Sequence, residues 1–276
     1  MSYFTEATSE DLVLSRLAPG VDPRFRQVME SAVRHLHAFV KEIEPTMAEW
    51  ERAIGFLTAT GQICDGKRQE WILASDTLGV SMLVDAINHR RPDGATENTV
   101  LGPFHVSGAP ERENGDNICL DGKGAPCVVR GRVTDEAGAP VEGARIDVWQ
   151  TNDDGFYDVQ QTGIQPDMNM RGIFTSRADG SYDFVTTKPL PYSIPTDGPV
   201  GAMLEAMGRH PMRPAHIHYI VTAPGYETLV THIFVDGDPY LDSDAVFGVK
   251  ESLIVTFHED AAGHRAEFDV RLKKLG

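Results

Sequence analysis

Two histidines on one face of a predicted β-strand have the clearest potential for chemistry in this chain. His216 and His218 lie in the segment RPAHIHYIV, residues 213–221. Side chains two residues apart on a strand point to the same side of the sheet, so both imidazoles project towards one point. Such a pair can bind a metal ion, or both rings can be satisfied by backbone hydrogen bonds. The residues around the pair are needed to distinguish these two interpretations.

The surroundings of the pair argue against several kinds of metal site. A cupin would carry a glutamate three or four residues after the second histidine, where this chain has Val221 and Thr222. No Cys-x-x-Cys motif accompanies the pair, which argues against structural zinc. The strand offers no convincing carboxylate for a two-histidine, one-carboxylate ferrous site. Upstream, two tyrosines stand in unusual settings, Tyr157 after Gly-Phe and Tyr192 between prolines.

With these motifs the chain resembles the intradiol ring-cleaving dioxygenases over residues 20–275. The matching residues are Val100-Leu101-Gly102-Pro103-Phe104, Asp147-Val148-Trp149-Gln150, Gly155-Phe156-Tyr157, Tyr192, and Arg213 through His218. Within that family the resemblance is to the branch that cleaves hydroxyquinol, benzene-1,2,4-triol. It implies an enzyme that uses O2 to open the aromatic ring between two hydroxylated carbons.

The resemblance implies one ferric iron per chain, held by Tyr157, Tyr192, His216 and His218. Ferric iron is a hard Lewis acid that favours anionic oxygen donors and accepts imidazole nitrogen. A bound trivalent cation deprotonates a phenol, whose ordinary pKa is about 10. The ligand set is therefore chemically consistent with the metal that the family uses.

Catalytic roles are also implied for Arg213, Tyr192 and His232. In the family, the residue matching Arg213 stabilises negative charge that develops on the ring carbon attacked by oxygen, a contribution that usually weighs heavily in catalysis. Tyr192 would leave the metal on substrate binding and accept a substrate proton. His232 stands where catechol-cleaving relatives commonly carry glutamine. Three roles remain open for it: a hydrogen bond to the oxygen intermediate, a hydrogen bond to Arg213, or packing on its strand.

A substrate pocket is implied by the same resemblance. Its predicted residues are Leu73, Asp76, Gly102, Pro103, Phe104, Ile194, Pro195, Arg213 and Val246. Asp76 would accept a hydrogen bond from the third ring hydroxyl, or it would be a solvated residue on a helix face. We therefore expect hydroxyquinol to be cleaved to 3-hydroxy-cis,cis-muconate, the enol form of maleylacetate. The alternative is a catechol or substituted-catechol 1,2-dioxygenase.

Composition favours an ordinary globular protein. The 276 residues are 41% hydrophobic and 24% charged, and the net charge of -16 argues against nucleic-acid partners and anionic membrane surfaces. Cys64, Cys119 and Cys127 form no paired framework, which is typical of a reducing compartment. Neither a secretion signal within residues 1–10 nor an apolar run of membrane-spanning length is visible. We predict a cytoplasmic protein.

Residues 1–100 are predicted to form a helical region. Asp22-Pro23 is typical of a helix start, and Thr46 with Glu49 forms a capping-box pattern. A third helix is predicted from about Gln69 to Asn88, before long loops between Asn88 and Pro126. In the family such helices form a homodimer contact, sometimes around a bound lipid, so the resemblance implies a homodimer.

Residues 101–276 are predicted to form the catalytic domain, an antiparallel β-sandwich with the iron site. Strands are expected near 128–133, 144–150, 181–185, 216–223, 229–235, 253–258 and 264–272. The glycine-bounded segments around residues 131–146 and 180–184 also resemble transthyretin-like sandwiches. A non-catalytic binding module is therefore an alternative of a different class, although it explains neither the segment 213–218 nor the helices.

Overall fold

The computed structural model describes residues 3–66, 68–90 and 94–276, which separate into two compact units. One unit runs up to Ala59 and the other from Thr60 onward. The helices are α1 (Ser9–Leu14), α2 (Pro23–Ile43), α3 (Met47–Ile63), α4 (Glu70–Thr77), α5 (Val80–Asn88) and α6 (Pro199–Ala206). The predicted boundary at residue 100 remains a prediction.

Two helix starts follow from local sequence as predicted. The Asp22 carboxylate accepts a hydrogen bond from the Phe25 backbone N–H at 2.8 Å, with Pro23 at the first position of α2. Before α3, the Glu49 carboxylate accepts from the Thr46 backbone N–H at 2.8 Å, and the Thr46 hydroxyl accepts from the Glu49 N–H at 3.3 Å. This reciprocal pair is a capping box.

The prediction of one continuous helix from Gln69 to Asn88 was wrong. Gly79 adopts φ 74°, a left-handed conformation that ends α4 before α5 begins. The backbone N–H groups of Leu78 and Gly79 donate to the carbonyls of Ala74 and Asp76 and close the last turn of α4. Helices α1 and α6 were not predicted from the sequence.

The remaining regular structure is a β-sandwich. Its strands are β1 (Pro126–Asp135), β2 (Arg145–Trp149), β3 (Arg171–Thr175), β4 (Ser181–Thr187), β5 (Tyr192–Ser193), β6 (Met212–Arg213), β7 (His216–Thr222), β8 (Leu229–Val235), β9 (Ile254–Val255), β10 (His258–Asp260), β11 (Gly263–Glu267) and β12 (Val270–Leu272). One sheet has the order β3-β2-β7-β8-β9; the other has β10-β11-β1-β12, with β4 also paired to β1. A small third sheet joins β5 to β6. The predicted β-sandwich with preceding helices is confirmed.

Strand pairing differs from the expected antiparallel pattern in three places. The pairs β1–β11, β1–β12 and β8–β9 are parallel, so both large sheets are mixed. The predicted strand 264–272 is divided into β11 and β12, and between them the Asp269 carboxylate accepts a hydrogen bond from the Arg132 backbone N–H at 2.8 Å. Strands β3, β5 and β6 were not predicted. No helix or strand begins between residues 94 and 125, and residues 91–93 of the predicted loop lie outside the described residues.

The sandwich core explains how β7 can carry polar groups. Ala215, Ile217, Tyr219 and Val221 belong to the main apolar core, which draws on both large sheets. The alternate residues of β7 therefore point away from that core, as the two-residue period of a strand requires. None of the described helices combines the length and apolarity that a membrane span needs.

Candidate metal centre

Four donor atoms from three segments converge at one point. The Tyr157 oxygen lies 2.8 Å from Nε2 of His218 and 3.0 Å from the Tyr192 oxygen. Nε2 of His216 lies 3.2 Å from that of His218 and 3.5 Å from the Tyr192 oxygen. All four side chains are buried. The structure thus brings together the four residues predicted as ligands.

These separations fit a shared metal ion. Donor atoms bound at about 2.0–2.1 Å and at angles of about 90–110° lie about 2.9–3.4 Å from one another. Burial raises the pKa of Tyr157 well above its usual value. Burial, and then the charge of Arg213, lower the pKa of His216 to about 3, and burial also lowers the pKa of His218 well below its usual value. The imidazoles are therefore neutral and can donate lone pairs, whereas the Tyr157 phenol ionises only if a bound cation replaces its proton.

The two histidines are oriented by different contacts. Nδ1 of His216 donates to the Pro214 carbonyl at 2.7 Å, which fixes the tautomer and leaves Nε2 as the lone-pair donor. Nδ1 of His218 has no hydrogen-bond partner among the described residues. Its ring instead stacks on Trp149, with centroids 4.6 Å apart and planes 10° apart. A Cβ at Gly102 would lie 3.0 Å from Cε1 of His218, so the backbone at Gly102 packs closely against the Cε1 edge of the His218 ring.

Each tyrosine is held by its own neighbours. The Gln160 side chain accepts from the Tyr157 backbone N–H at 2.9 Å, and the Phe104 ring stacks on the Tyr157 ring at 4.6 Å. Tyr192 pairs with Arg213 in the β5–β6 ladder. At Gly155, with φ 80°, a Cβ would lie 3.3 Å from Cβ of Tyr192, so the loop before Tyr157 packs tightly against the second tyrosine.

Arg213 is a buried cation beside the donor atoms. Its Nη1 lies 3.3 Å from Nε2 of His216, while Nε donates to Asp244 at 3.0 Å. Burial lowers the pKa of Arg213, but the charges of Asp244 and the tyrosines more than offset this, so the guanidinium stays protonated. For Asp244, burial raises the pKa, but the charge of Arg213 more than offsets this, so the pKa of Asp244 lies below its usual value. The pair is therefore ionised.

His232 lies in the same cluster, and neither of its ring nitrogens has a well-formed hydrogen bond to any of the described residues. Its ring centroid is 4.8 Å from that of His216 and 4.1 Å from that of His218. Burial lowers its pKa well below the usual value, and the backbone of Val100 opposes that shift only in part. The ring nitrogens of these three histidines could also form an all-histidine group, since one nitrogen from each lies within 4.8 Å of the others. Among the described contacts, only His216 and His218 also approach the tyrosine oxygens.

A small pocket adjoins this cluster. It has a volume of about 240 Å³ and is lined by Arg68, Gln69, Glu70, Ile72, Leu73, Asp76, Pro103, Phe104, Gln160 and Pro195. Phe104 lines this pocket and stacks on Tyr157, so its ring connects the pocket to the cluster of donor atoms. Asp76 is one of the lining residues, and burial raises the pKa of its carboxyl. A larger cavity of about 730 Å³, lined by Asn98 and Arg271 among others, contains none of the predicted site residues.

The other predicted pocket residues lie around this space rather than lining it. Ile194 and Val246 pack in an apolar cluster with Leu73. Gly102 lies against His218, and Arg213 lies beside His216. Their contact with a substrate remains a prediction.

Several residues of the site were missed by the sequence reasoning. Asp244, which binds Arg213, lies 31 residues away along the chain, and a carboxylate in a loop carries no special sequence signal. Glu70 was also missed, although it is only 1% exposed and accepts from Arg68 at 2.9 Å and from the Val200 N–H at 3.1 Å. A glutamate at the start of an apolar helix is usually solvated, so nothing in the sequence indicated that Glu70 is buried.

Comparison with known proteins identifies the family. The catechol dioxygenase N-terminal family model matches residues 22–96, and the dioxygenase family model matches residues 100–274. The chain belongs to the intradiol ring-cleavage dioxygenases and is an enzyme of that class. This membership argues against the non-catalytic transthyretin-like alternative.

Individual relatives cover nearly the whole chain. The hydroxyquinol 1,2-dioxygenase of Rhizobium sp. strain MTP-10005 is 62% identical over 96% of this chain and 90% of its own length. The 6-chlorohydroxyquinol 1,2-dioxygenase of Cupriavidus pinatubonensis is 53% identical over 98% of both chains. The crystal structure of hydroxyquinol 1,2-dioxygenase from Pseudomonas putida DLL-E4 superposes with a TM-score of 0.93 at 51% identity, covering 98% of this chain and 99% of that chain. Wild-type catechol 1,2-dioxygenase of Acinetobacter radioresistens gives 0.85 at 28% identity, covering 100% and 95%.

Proposed function

We propose that this protein cleaves hydroxyquinol with O2 between its two adjacent hydroxylated carbons, giving 3-hydroxy-cis,cis-muconate. The observation that carries the proposal is the convergence of two phenol oxygens and two imidazole nitrogens within 2.8–3.5 Å of their neighbours, beside a buried guanidinium. The names of the relatives that are 62% and 53% identical support hydroxyquinols as the substrate class.

The metal in this proposal is one ferric ion per chain, held by Tyr157, Tyr192, His216 and His218. Two phenolates and two neutral imidazoles match the preference of ferric iron for anionic oxygen and its acceptance of nitrogen. When bound, the ion acts as a Lewis acid that favours the doubly deprotonated form of an aromatic diol. His232 is not assigned to the metal, because in the described contacts the tyrosine oxygens approach only the imidazoles of His216 and His218.

The chain's own residues handle protons, charge and orientation. The Tyr192 oxygen, 3.0 Å from that of Tyr157, is placed to take up one proton released by the diol. The Arg213 guanidinium stabilises negative charge on the ring carbon that attacks oxygen, and burial strengthens this interaction. Phe104 covers Tyr157 and limits the access of water from the pocket side.

Asp76 is the residue proposed to select hydroxyquinol over catechol. Asp76 is 6% exposed and lines the pocket together with the apolar residues Leu73, Pro103 and Phe104. A third ring hydroxyl can donate a hydrogen bond to this carboxyl beside the one from Ser81, whereas catechol cannot, and sites built around a substrate hydroxyl discriminate strongly against analogues that lack it. A pocket of about 240 Å³ suits a single ring better than a larger ligand.

Metal content and product identity test the proposal together. The purified protein should contain about one iron per chain and be wine-red, because phenolate-to-ferric charge transfer absorbs visible light. A colourless protein that stays inactive after iron loading, or one with stoichiometric zinc, would overturn the ligand assignment. An extradiol product, with the ring cut beside the diol, would overturn the reaction.

A homodimer formed through the N-terminal helices is also proposed. Helix α2 exposes Phe25, Leu36 and Phe39 by more than half, and such a large apolar face is typical of an interaction surface. Sedimentation analysis should give twice the chain mass, and solvent extraction tests for lipid between the helices. A monomer at micromolar concentration would contradict the proposal. The cytoplasmic location stays a prediction.

A further inference from the structure

We propose that Asp244 is the positioning residue that aims the Arg213 guanidinium at the metal-ligand atoms. This inference rests on the proposed function, in which Arg213 acts on the substrate. Oδ1 of Asp244 accepts from Nε of Arg213 at 3.0 Å, and Oδ2 accepts from Nη2 at 3.3 Å. These nitrogens form one edge of the planar guanidinium, so the carboxylate fixes its plane. Nη1 is left free of Asp244 and lies 3.3 Å from Nε2 of His216.

Asp244 is itself held by the backbone of the turn that follows it. The Val246 N–H donates to Oδ1 at 3.3 Å, and the Gly248 N–H donates to Oδ2 at 2.9 Å. Each carboxylate oxygen therefore accepts one bond from the turn and one from Arg213. With 4% of its surface exposed, Asp244 cannot exchange these partners for water. Its orientation is thus set before any substrate arrives, as electrostatic catalysis requires.

The conformation of the turn fits this role. Phe247 adopts φ 59°, which is unfavourable for a residue with a side chain, and its N–H donates to the Asp244 carbonyl at 3.1 Å. A Cβ at Gly248 would lie 3.0 Å from Nη2 of Arg213 and 3.1 Å from Oδ2 of Asp244. The turn therefore leaves room for the ion pair only because residue 248 has no side chain.

Without Asp244, the guanidinium has another carboxyl to approach. Burial raises the pKa of Asp76, and a hydrogen bond from Ser81 and the charge of Arg213 oppose this shift in part, so Arg213 and Asp76 interact across the site. A buried guanidinium without its partner is strongly disfavoured, so Arg213 would no longer be held beside the ligand atoms.

Asp244→Asn and Gly248→Ala test the inference in the iron-loaded protein. Asp244→Asn removes the charge, whereas Gly248→Ala keeps Asp244 and displaces the pair by a few tenths of an ångström. Iron content and visible colour should stay as in the wild type, while kcat for hydroxyquinol falls on the order of 10–100-fold in Asp244→Asn and less in Gly248→Ala. Asp135→Asn is a matched control. Asp135 is also buried, accepts two backbone N–H bonds and pairs with Lys274, but it lies at the end of β1. This control should keep the wild-type kcat.

A double-mutant comparison separates positioning from a purely structural role. If Asp244 acts through Arg213, Asp244→Asn should lower kcat much less in an Arg213→Lys background than in the wild type. An equal loss in both backgrounds, or wild-type kcat per bound iron in both single variants, would overturn the inference. If Asp244→Asn does not fold, Gly248→Ala carries the same comparison. Failure of the proposed function would appear earlier, as an iron-loaded wild type that does not cleave hydroxyquinol, and the positioning role would fail with it.

Discussion

The indole of Trp149 lies flat against the imidazole of His218, with ring planes only 10° apart and centroids 4.6 Å apart. This contact takes the place of a hydrogen bond, because Nδ1 of His218 has no partner among the described residues. His216, in contrast, is oriented by the Pro214 carbonyl. The two proposed imidazole ligands therefore depend on different neighbours, one on stacking and one on a hydrogen bond.

Trp149→Leu should weaken iron retention. The smaller side chain leaves the His218 ring free to rotate, so the iron content should fall clearly below one per chain. Stability should also fall, by a few kcal/mol, because Trp149 is fully buried. Phe184→Leu is the control, since Phe184 is equally buried and stacks on Phe174 in the sandwich core. Iron analysis and thermal unfolding should show a stability loss in both variants and iron loss only in Trp149→Leu. Equal iron contents would show that stacking does not orient the ligand.

The two tyrosines should respond differently to removal of the hydroxyl. Tyr192→Phe should lose activity severely while retaining some iron, because three proposed ligands remain but the group that takes the substrate proton is gone. Tyr157→Phe should change the colour more, since Tyr157 is the fully buried one of the two proposed phenolate ligands, packed between Phe104 and His218. Iron content, visible absorption and kcat distinguish the two variants. Wild-type turnover by Tyr192→Phe would contradict its proposed proton-accepting role.

The local pattern of the sequence predicted the part of the site that lies on β7. Alternation places Ile217 and Tyr219 in the sandwich core, so His216 and His218 must share the opposite face. The positions of Tyr157 and Tyr192 could not be predicted from a local pattern, because both lie in loop-rich segments without hydrophobic periodicity or a clear secondary-structure propensity. Their assignment came from the family resemblance, and the structure brings their oxygens to the histidines.

The supporting contacts could not be predicted in the same way. Asp244 and Arg213, or Glu70 and Val200, are far apart in sequence, and their pairing depends on how loops pack after the sheets form. The break at Gly79 had a local signal, since glycine inside a helical pattern is unfavourable, but the apolar spacing outweighed it. The parallel pairing of β1 with β11 and β12 joins distant segments, which periodicity cannot reveal.

Gly198→Ala should destabilise the wall of the pocket. A Cβ at Gly198 would lie 2.4 Å from Oε1 of Glu70 and 2.6 Å from Nη2 of Arg68, so the buried carboxylate that caps α6 would have to move. We expect a loss of about 1–3 kcal/mol and weaker hydroxyquinol binding, because Glu70 begins the helix that carries Asp76. Gly20→Ala has open space around its Cβ and should change stability by less than about 0.5 kcal/mol. Denaturant titrations of both variants provide the test, and equal midpoints would refute the packing argument.

The buried Cys127 thiol gives a pH-dependent prediction. Burial raises its pKa from 9.0 to about 12, so the unfolded chain releases this proton at lower pH than the folded protein. The thiol therefore stabilises the fold fully below pH 9, and this contribution is lost as the pH rises from 9 to about 12. Cys127→Ala should show a shallower fall in stability over that range. A thiol reagent at pH 8 should label the half-buried Cys64 and spare Cys127 until the protein unfolds.

Substrate choice should depend on Asp76. If its carboxyl accepts a hydrogen bond from the third hydroxyl, losing that bond with catechol costs about 1–3 kcal/mol, which corresponds to roughly 5- to 150-fold in specificity. Asp76→Ala should therefore lower kcat/KM for hydroxyquinol and leave catechol turnover unchanged or improved. Steady-state kinetics on both substrates in parallel provide the measurement, and the ratio matters more than either value, because misfolding would depress both. Equal losses on the two substrates would show that Asp76 is structural. Faster catechol turnover by the wild type would favour the catechol-cleaving alternative.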